Sequence, residues 1–102
     1  MTSYIISPLA SRDLDDIFDY FAEFSVDAGE RFVDDFNKKC RNLVAFPSIG
    51  RAYTEIDTSL RGIPLSDYII FYRVNENLIE IVRVVSGHRD LASLFRGSSD
   101  ID

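Results

Sequence analysis

Apolar residues dominate the stretch 68–85, YIIFYRVNENLIEIVRVV, on every second position and on the positions between. Read as two strands, Tyr68–Val74 and Leu78–Val85, joined by Asn75-Glu76-Asn77, the stretch divides by the twofold alternation of strand side chains. Tyr68, Ile70, Tyr72, Val74, Leu78, Val82 and Val84 fall on one face. Ile69, Phe71, Arg73, Ile79, Ile81, Arg83 and Val85 fall on the other. Both faces are apolar, and a hairpin of that kind requires cover on both sides.

The first half of the chain repeats on a helical period instead. Ser7-Pro8 supplies an N-cap and a first-turn proline. Leu14, Ile17, Phe18 and Phe21 then form one stripe, with Asp13, Asp15, Asp16, Asp19 and Glu23 on the wet side. Asp27-Ala28-Gly29-Glu30 reads as a capping box for a second helix. Phe32, Val33, Phe36, Cys40, Leu43 and Val44 form its apolar stripe, and Pro47 ends it. Tyr4-Ile5-Ile6 is a short strand, 51–56 a weak one, and 61–65 a better one in which Pro64 marks an edge or bulge. Asp90 can cap a short helix over 91–96.

The predicted fold is therefore α+β, in the order β-α-α-β-β-β-α: a helical hairpin on one face of a mainly antiparallel twisted sheet, with a short C-terminal helix. One domain over 1–97 and a polar tail over 98–102 account for the chain. A two-helix layer covers one face of the sheet. The second face is expected to stay open as an interaction surface made of Ile69, Phe71, Arg73, Ile79, Ile81, Arg83 and Val85.

Charge changes this picture in one respect. The net charge is -6, and residues 1–46 carry nine acidic against five basic side chains, whereas residues 47–97 carry six of each. Acidity belongs to the helices, and Arg51, Arg61, Arg73, Arg83, Arg89 and Arg96 belong to the strand half. An acidic chain is a poor general binder of nucleic acid, so no direct sequence-specific nucleic-acid binding is expected. The single cysteine, Cys40, excludes an internal disulfide and suits a reducing cytoplasm. No apolar run reaches membrane length, and the N-terminus lacks a signal-peptide pattern.

Catalytic signals are thin. One cysteine and one histidine cannot build an ordinary zinc site, and no cofactor motif is present. Cys40 lies on an apolar stripe and suits packing. Arg73 can pair with a nearby carboxylate or meet a partner. Arg83, in mid-strand, needs a carboxylate or an exposed position.

These segments together resemble a known family. Ala10-Ser11-Arg12-Asp13-Leu14 with Ile17 and Tyr20, Pro47-Ser48-Ile49-Gly50-Arg51, Arg61, Tyr68–Val74 and Ile81–Asp90 occur in the order and spacing of the ParE toxins of bacterial toxin–antitoxin systems, within the ParE/RelE superfamily. The resemblance spans positions 4 to 95. It implies a toxin neutralised by a cognate antitoxin that wraps it, and a target that is DNA gyrase for ParE-like members or ribosome-bound messenger RNA for RelE-like members. RelE-like nucleases carry a cation directly after the tyrosine that opens the YxxxY strand; here that position is Ile69. The nuclease alternative therefore rests on His88 and Glu55 with Arg61, Arg83 and Arg89, because arginine alone stays protonated and makes a poor base. An inactive, antitoxin-binding toxin-like domain is the third reading. The ParE reading has no catalytic residues, no cofactor and no metal, leaves the gyrase-contacting residues unknown, and allows self-association of the free chain.

Overall fold

The computed structural model describes residues 3–88. The elements are β1 (Ser3–Ile6), α1 (Pro8–Ala22), α2 (Val26–Ala45), β2 (Arg51–Ala52), β3 (Arg61–Leu65), β4 (Tyr68–Asn75) and β5 (Leu78–Ser86). They form one five-stranded sheet in the order β1-β5-β4-β3-β2. β1 runs parallel to β5, and the other neighbours are antiparallel. The predicted helix over 91–96 lies outside the described residues.

Ser7 fixes where α1 starts. Its hydroxyl oxygen accepts from the Ala10 backbone N–H at 3.1 Å and the hydroxyl donates to the Val82 carbonyl at 3.0 Å. Its backbone N–H donates to the Ile81 carbonyl, also at 3.0 Å. One residue thus caps the helix and anchors it to β5. The cap of α2 is Ser25, whose side chain accepts from the Ala28 N–H, so the helix starts two residues before the expected Asp27 cap and, with alanine at 28, has no capping box. Asp27 instead sits in the first turn, where the helix dipole favours a carboxylate.

The helical hairpin buries one face of the sheet. Ile17, Phe32, Phe36, Cys40 and Leu43 from the helices pack with Ile63, Ile70, Tyr72, Ile79, Ile81 and Val84. Ile79 and Ile81 therefore belong to the helix-facing core, and their placement on the second face is corrected. Two local features cause the change. The hairpin turn is one residue shorter than expected: Asn75 pairs with Leu78 and Val74 with Ile79, around Glu76, which adopts a positive φ of 49°. A one-residue slip moves every following side chain to the opposite face. A β-bulge opposite Phe71/Tyr72 then inserts Val82 as an extra residue, and the original phase returns from Arg83 onward. Val82 consequently packs on the second face.

The second face is covered as well. Phe71 and Val85 are buried in a smaller cluster with Leu60, and Tyr53, Ile56, Ile69 and Val82 pack around it. The cover is residues 53–60, expected to be partly strand. Only Arg51–Ala52 is strand, and the rest turns back over the sheet. The expectation of an open apolar face is corrected at Phe71 and Val85.

Arg83 ties the two layers together. Its guanidinium donates to both oxygens of Asp13 on α1, at 2.8 and 3.1 Å, and the same carboxylate accepts the Val84 backbone N–H at 2.9 Å. This bidentate pair, first through the hydrogen bond and then through Coulomb attraction, raises the Arg83 pKa against the cost of burial. Both side chains are about 15% exposed, too dry for the pair to be a marginal surface bridge. Asp13→Ala leaves a guanidinium and a strand N–H without partners and is expected to cost about 2–3 kcal/mol. Urea unfolding measures this; a loss under about 0.5 kcal/mol would contradict the anchoring role.

Candidate functional site

The site is built from the connection between α2 and β3. After α2, the turn 47–50 is clamped by two β-sheet side chains. The buried Tyr72 hydroxyl donates to the Pro47 carbonyl at 2.8 Å and accepts from the Gly50 N–H at 2.9 Å. Arg61 donates to the Gly50 carbonyl at 2.7 Å and to the Ser48 carbonyl at 3.4 Å. A Cβ at position 50 would sit 2.6 Å from the Tyr72 oxygen, so the clamp requires glycine there. The clamp delivers the chain to β2 at the sheet edge.

Beyond β2 the chain becomes a strap. The Tyr53 N–H donates to the Leu60 carbonyl at 2.9 Å and the Leu60 N–H to the Asp57 carbonyl at 3.1 Å, which closes a compact loop. Tyr53 stands edge-on to Phe71 with centroids 5.0 Å apart, and Arg51 lies 4.1 Å over the Tyr53 ring. Gly62 makes room for that ring, because a Cβ there would lie 2.8 Å from it. Asp57 fastens the far end. It accepts from the Ser59 N–H and hydroxyl and from Arg73 at 3.1 Å. The Ser59 N–H, then its hydroxyl, then Arg73 hold the Asp57 carboxyl below its ordinary pKa.

Beside the strap lies an open groove of about 430 Å³, lined by Ile49, Arg51, Tyr53, Gly62, Ile63, Pro64 and Ile69 among others. Its floor is apolar, and Arg51, paired to Glu55 at 3.2 Å, stands at its rim. The ring beneath and the exposed pair with Glu55 both favour this placement of the guanidinium.

The residues singled out in the sequence are distributed as follows. Ile69 lines this groove. Phe71 and Val85 are under the strap, and Ile79 and Ile81 are on the helix side. Arg73 is bound to Asp57, and Arg83 to Asp13. Of the nuclease set, Glu55 is occupied by Arg51, Arg61 by the turn, and Arg83 by α1. His88 is exposed beyond β5, and Arg89 lies outside the described residues. Among the described residues no hydrogen bond or ion pair joins any two of Glu55, Arg61, Arg83 and His88. Nor is any group of three or more His, Cys, Asp and Glu side chains arranged to hold a metal among them. Cys40, buried in the core, has its pKa pushed up to about 12 by desolvation and is no nucleophile.

Sequence reasoning missed Tyr53, Ile56 and Leu60 as cover, and Asp13 and Asp57 as partners of the arginines. Tyr53, Ile56 and Leu60 had a signal: an apolar residue every third or fourth position in a segment too polar for a strand. The arginines called for carboxylates, but nothing in the sequence singled out which: Asp13 lies 70 positions from Arg83 and Asp57 lies 16 from Arg73.

Two comparisons place the chain. A family model described as "ParE toxin of type II toxin-antitoxin system, parDE" matches residues 4–91. A solved structure titled "Chromosomal ParDE TA system from P. aeruginosa" superposes with a TM-score of 0.70 at 24% identity, over 84% of this chain and 95% of that one; at that identity the likeness speaks for the fold. None of the curated proteins matches in sequence.

The strap's tether carries a pH signature. The Asp57 pKa is lowered on folding, so its contribution is complete above the ordinary carboxylate value and is lost as pH falls below about 4. Asp57→Asn is therefore expected to lower the urea midpoint at pH 6, with the gap to wild type shrinking toward pH 3. A gap that stays constant over that range would remove Asp57 from the tether.

Proposed function

The chain belongs to the ParE toxin family, and on that premise we propose that it blocks DNA gyrase by binding it, with no catalytic step of its own, and is neutralised by a cognate antitoxin. The observation that supports this best is the family match over 4–91 combined with the engagement of Glu55, Arg61 and Arg83, the described charged members of the nuclease set, in separate contacts of the fold. A phosphodiester cleavage site needs a base, an acid and charge stabilisation converging on one point. Ile69 at the groove, where RelE-like nucleases carry a cation, argues the same way.

In this reading 1–97 is one toxin domain, 98–102 a polar tail, and the cytoplasm the compartment in which gyrase is met. The antitoxin covers the part of the second face that remains reachable, around Ile69 and the Arg51 rim, as one portion of an interface of about 2,000 Å² or more. Without that cover the free chain self-associates.

Purified toxin at micromolar concentration is expected to inhibit gyrase supercoiling and to leave ribosome-bound message intact. Unimpaired supercoiling, together with message cleavage that His88→Ala abolishes, would overturn the proposal. Ile69→Asp is expected to weaken antitoxin binding at least tenfold while keeping the far-ultraviolet spectrum; unchanged affinity would exclude the groove as the contact.

A further inference from the structure

The end of the helical hairpin carries a feature that packing does not require. Tyr20, Phe24 and Val26 sit at the junction of α1 and α2 with exposures of 54, 71 and 64%, and Phe24 is the barest large apolar residue among those described. A turn between helix caps is satisfied by polar residues, so nothing in the local backbone demands a phenylalanine at 24. The rings contact one another. Phe24 stands edge-to-face with Tyr20 at 5.2 Å, and Tyr20 stands the same way to Phe21 at 5.6 Å. Phe21 stacks on the buried Phe32 at 5.4 Å, and Phe32 meets Tyr68 of β4 at 5.7 Å. A continuous array of aromatic side chains therefore runs from the core to the solvent-facing tip.

Two further observations define what such a tip fits. A shallow cleft of about 220 Å³, lined by Phe21, Ala28, Arg31, Phe32 and Leu65 among others, opens beside it. The segment 19–30 carries Asp19, Glu23, Asp27 and Glu30 and no lysine or arginine. Arg31 is the one cation at its border. Rigid aromatic rings with few torsions to immobilise are the usual anchors of protein interfaces, each burying 150–250 Å² at most. Carboxylates around them select a complementary surface and speed its encounter.

We propose that this aromatic tip is the contact through which the toxin grips its protein target, inserting Tyr20 and Phe24 into an apolar pocket edged by lysine and arginine. The inference rests on the gyrase reading for the identity of the target. A second copy of this chain is a poor occupant, because it would bring the same four carboxylates against themselves. The tip lies at the hairpin end, on α1 and α2, whereas the Ile69 groove lies on β3 and β4, so target and antitoxin are assigned different elements.

The test uses full-length toxin and the double variant Tyr20→Ser/Phe24→Ser, whose exposed positions spare the core, with three readouts: copurification with the antitoxin, growth arrest on induction, and binding to purified gyrase. The expected result is normal antitoxin copurification, loss of arrest, and gyrase binding at least tenfold weaker. Asp19→Lys/Glu23→Lys is expected to slow association severalfold and flatten its salt dependence. A double variant that arrests growth and binds gyrase like wild type would overturn the inference, as would one that loses the antitoxin while keeping the target. A wild type that arrests growth without binding gyrase, beside a double variant that does not arrest, would remove gyrase and retain the tip as the target contact. A wild type that neither arrests growth nor binds gyrase would overturn both.

Discussion

A β-hairpin that is apolar on both faces cannot stand in water with one face bare, and this chain meets that constraint with two unequal covers. The helical hairpin supplies the larger one, over Ile70, Tyr72, Ile79, Ile81 and Val84. The strap 53–60 supplies the smaller, over Phe71 and Val85. Each cover is fastened by an arginine of the sheet: Arg83 to Asp13 on the helix side, Arg73 to Asp57 on the strap side. Burial provides the driving force and the ion pairs set the placement. A part-buried arginine tolerates only a position that satisfies its donors.

That division of labour constrains what the arginines can do otherwise. Arginines along a sheet next to a histidine and a glutamate resemble, in sequence, a phosphate-binding set. In space Arg61 clamps the turn after α2, Arg83 anchors α1, and Glu55 holds Arg51 over Tyr53. These side chains maintain architecture. Chemistry that needed Glu55, Arg61 or Arg83 would have to break a contact the fold uses.

Sequence patterning carried the element order well because helical stripes and strand alternation are strong, local signals. It failed on phase in β5. The turn at Asn75 to Leu78 holds one residue fewer than the Asn-Glu-Asn motif suggests, and Val82 bulges out to compensate. Two single-residue offsets of opposite effect are invisible to alternation, yet between them Ile79 and Ile81 exchange faces. The strap escaped for a different reason. Tyr53, Ile56 and Leu60 belong to no regular element, so their three-to-four-residue spacing names no strand or helix, and their burial depends on Phe71 lying beneath. Long-range pairs such as Arg83 with Asp13 are set by topology and leave no local trace.

This member of the ParE toxin family covers both faces of its sheet with its own residues, apart from the groove at Ile69, and carries an exposed aromatic tip at the end of its helical hairpin. The sealing of the second face by the chain itself is the central structural claim, and amide hydrogen exchange on the free protein tests it most directly. Slow exchange at Tyr53 and Leu60, comparable to the β4–β5 core, is the predicted result. Exchange at 53–60 close to unstructured rates, beside a protected β4–β5 ladder, would mean that the face is bare until a partner covers it.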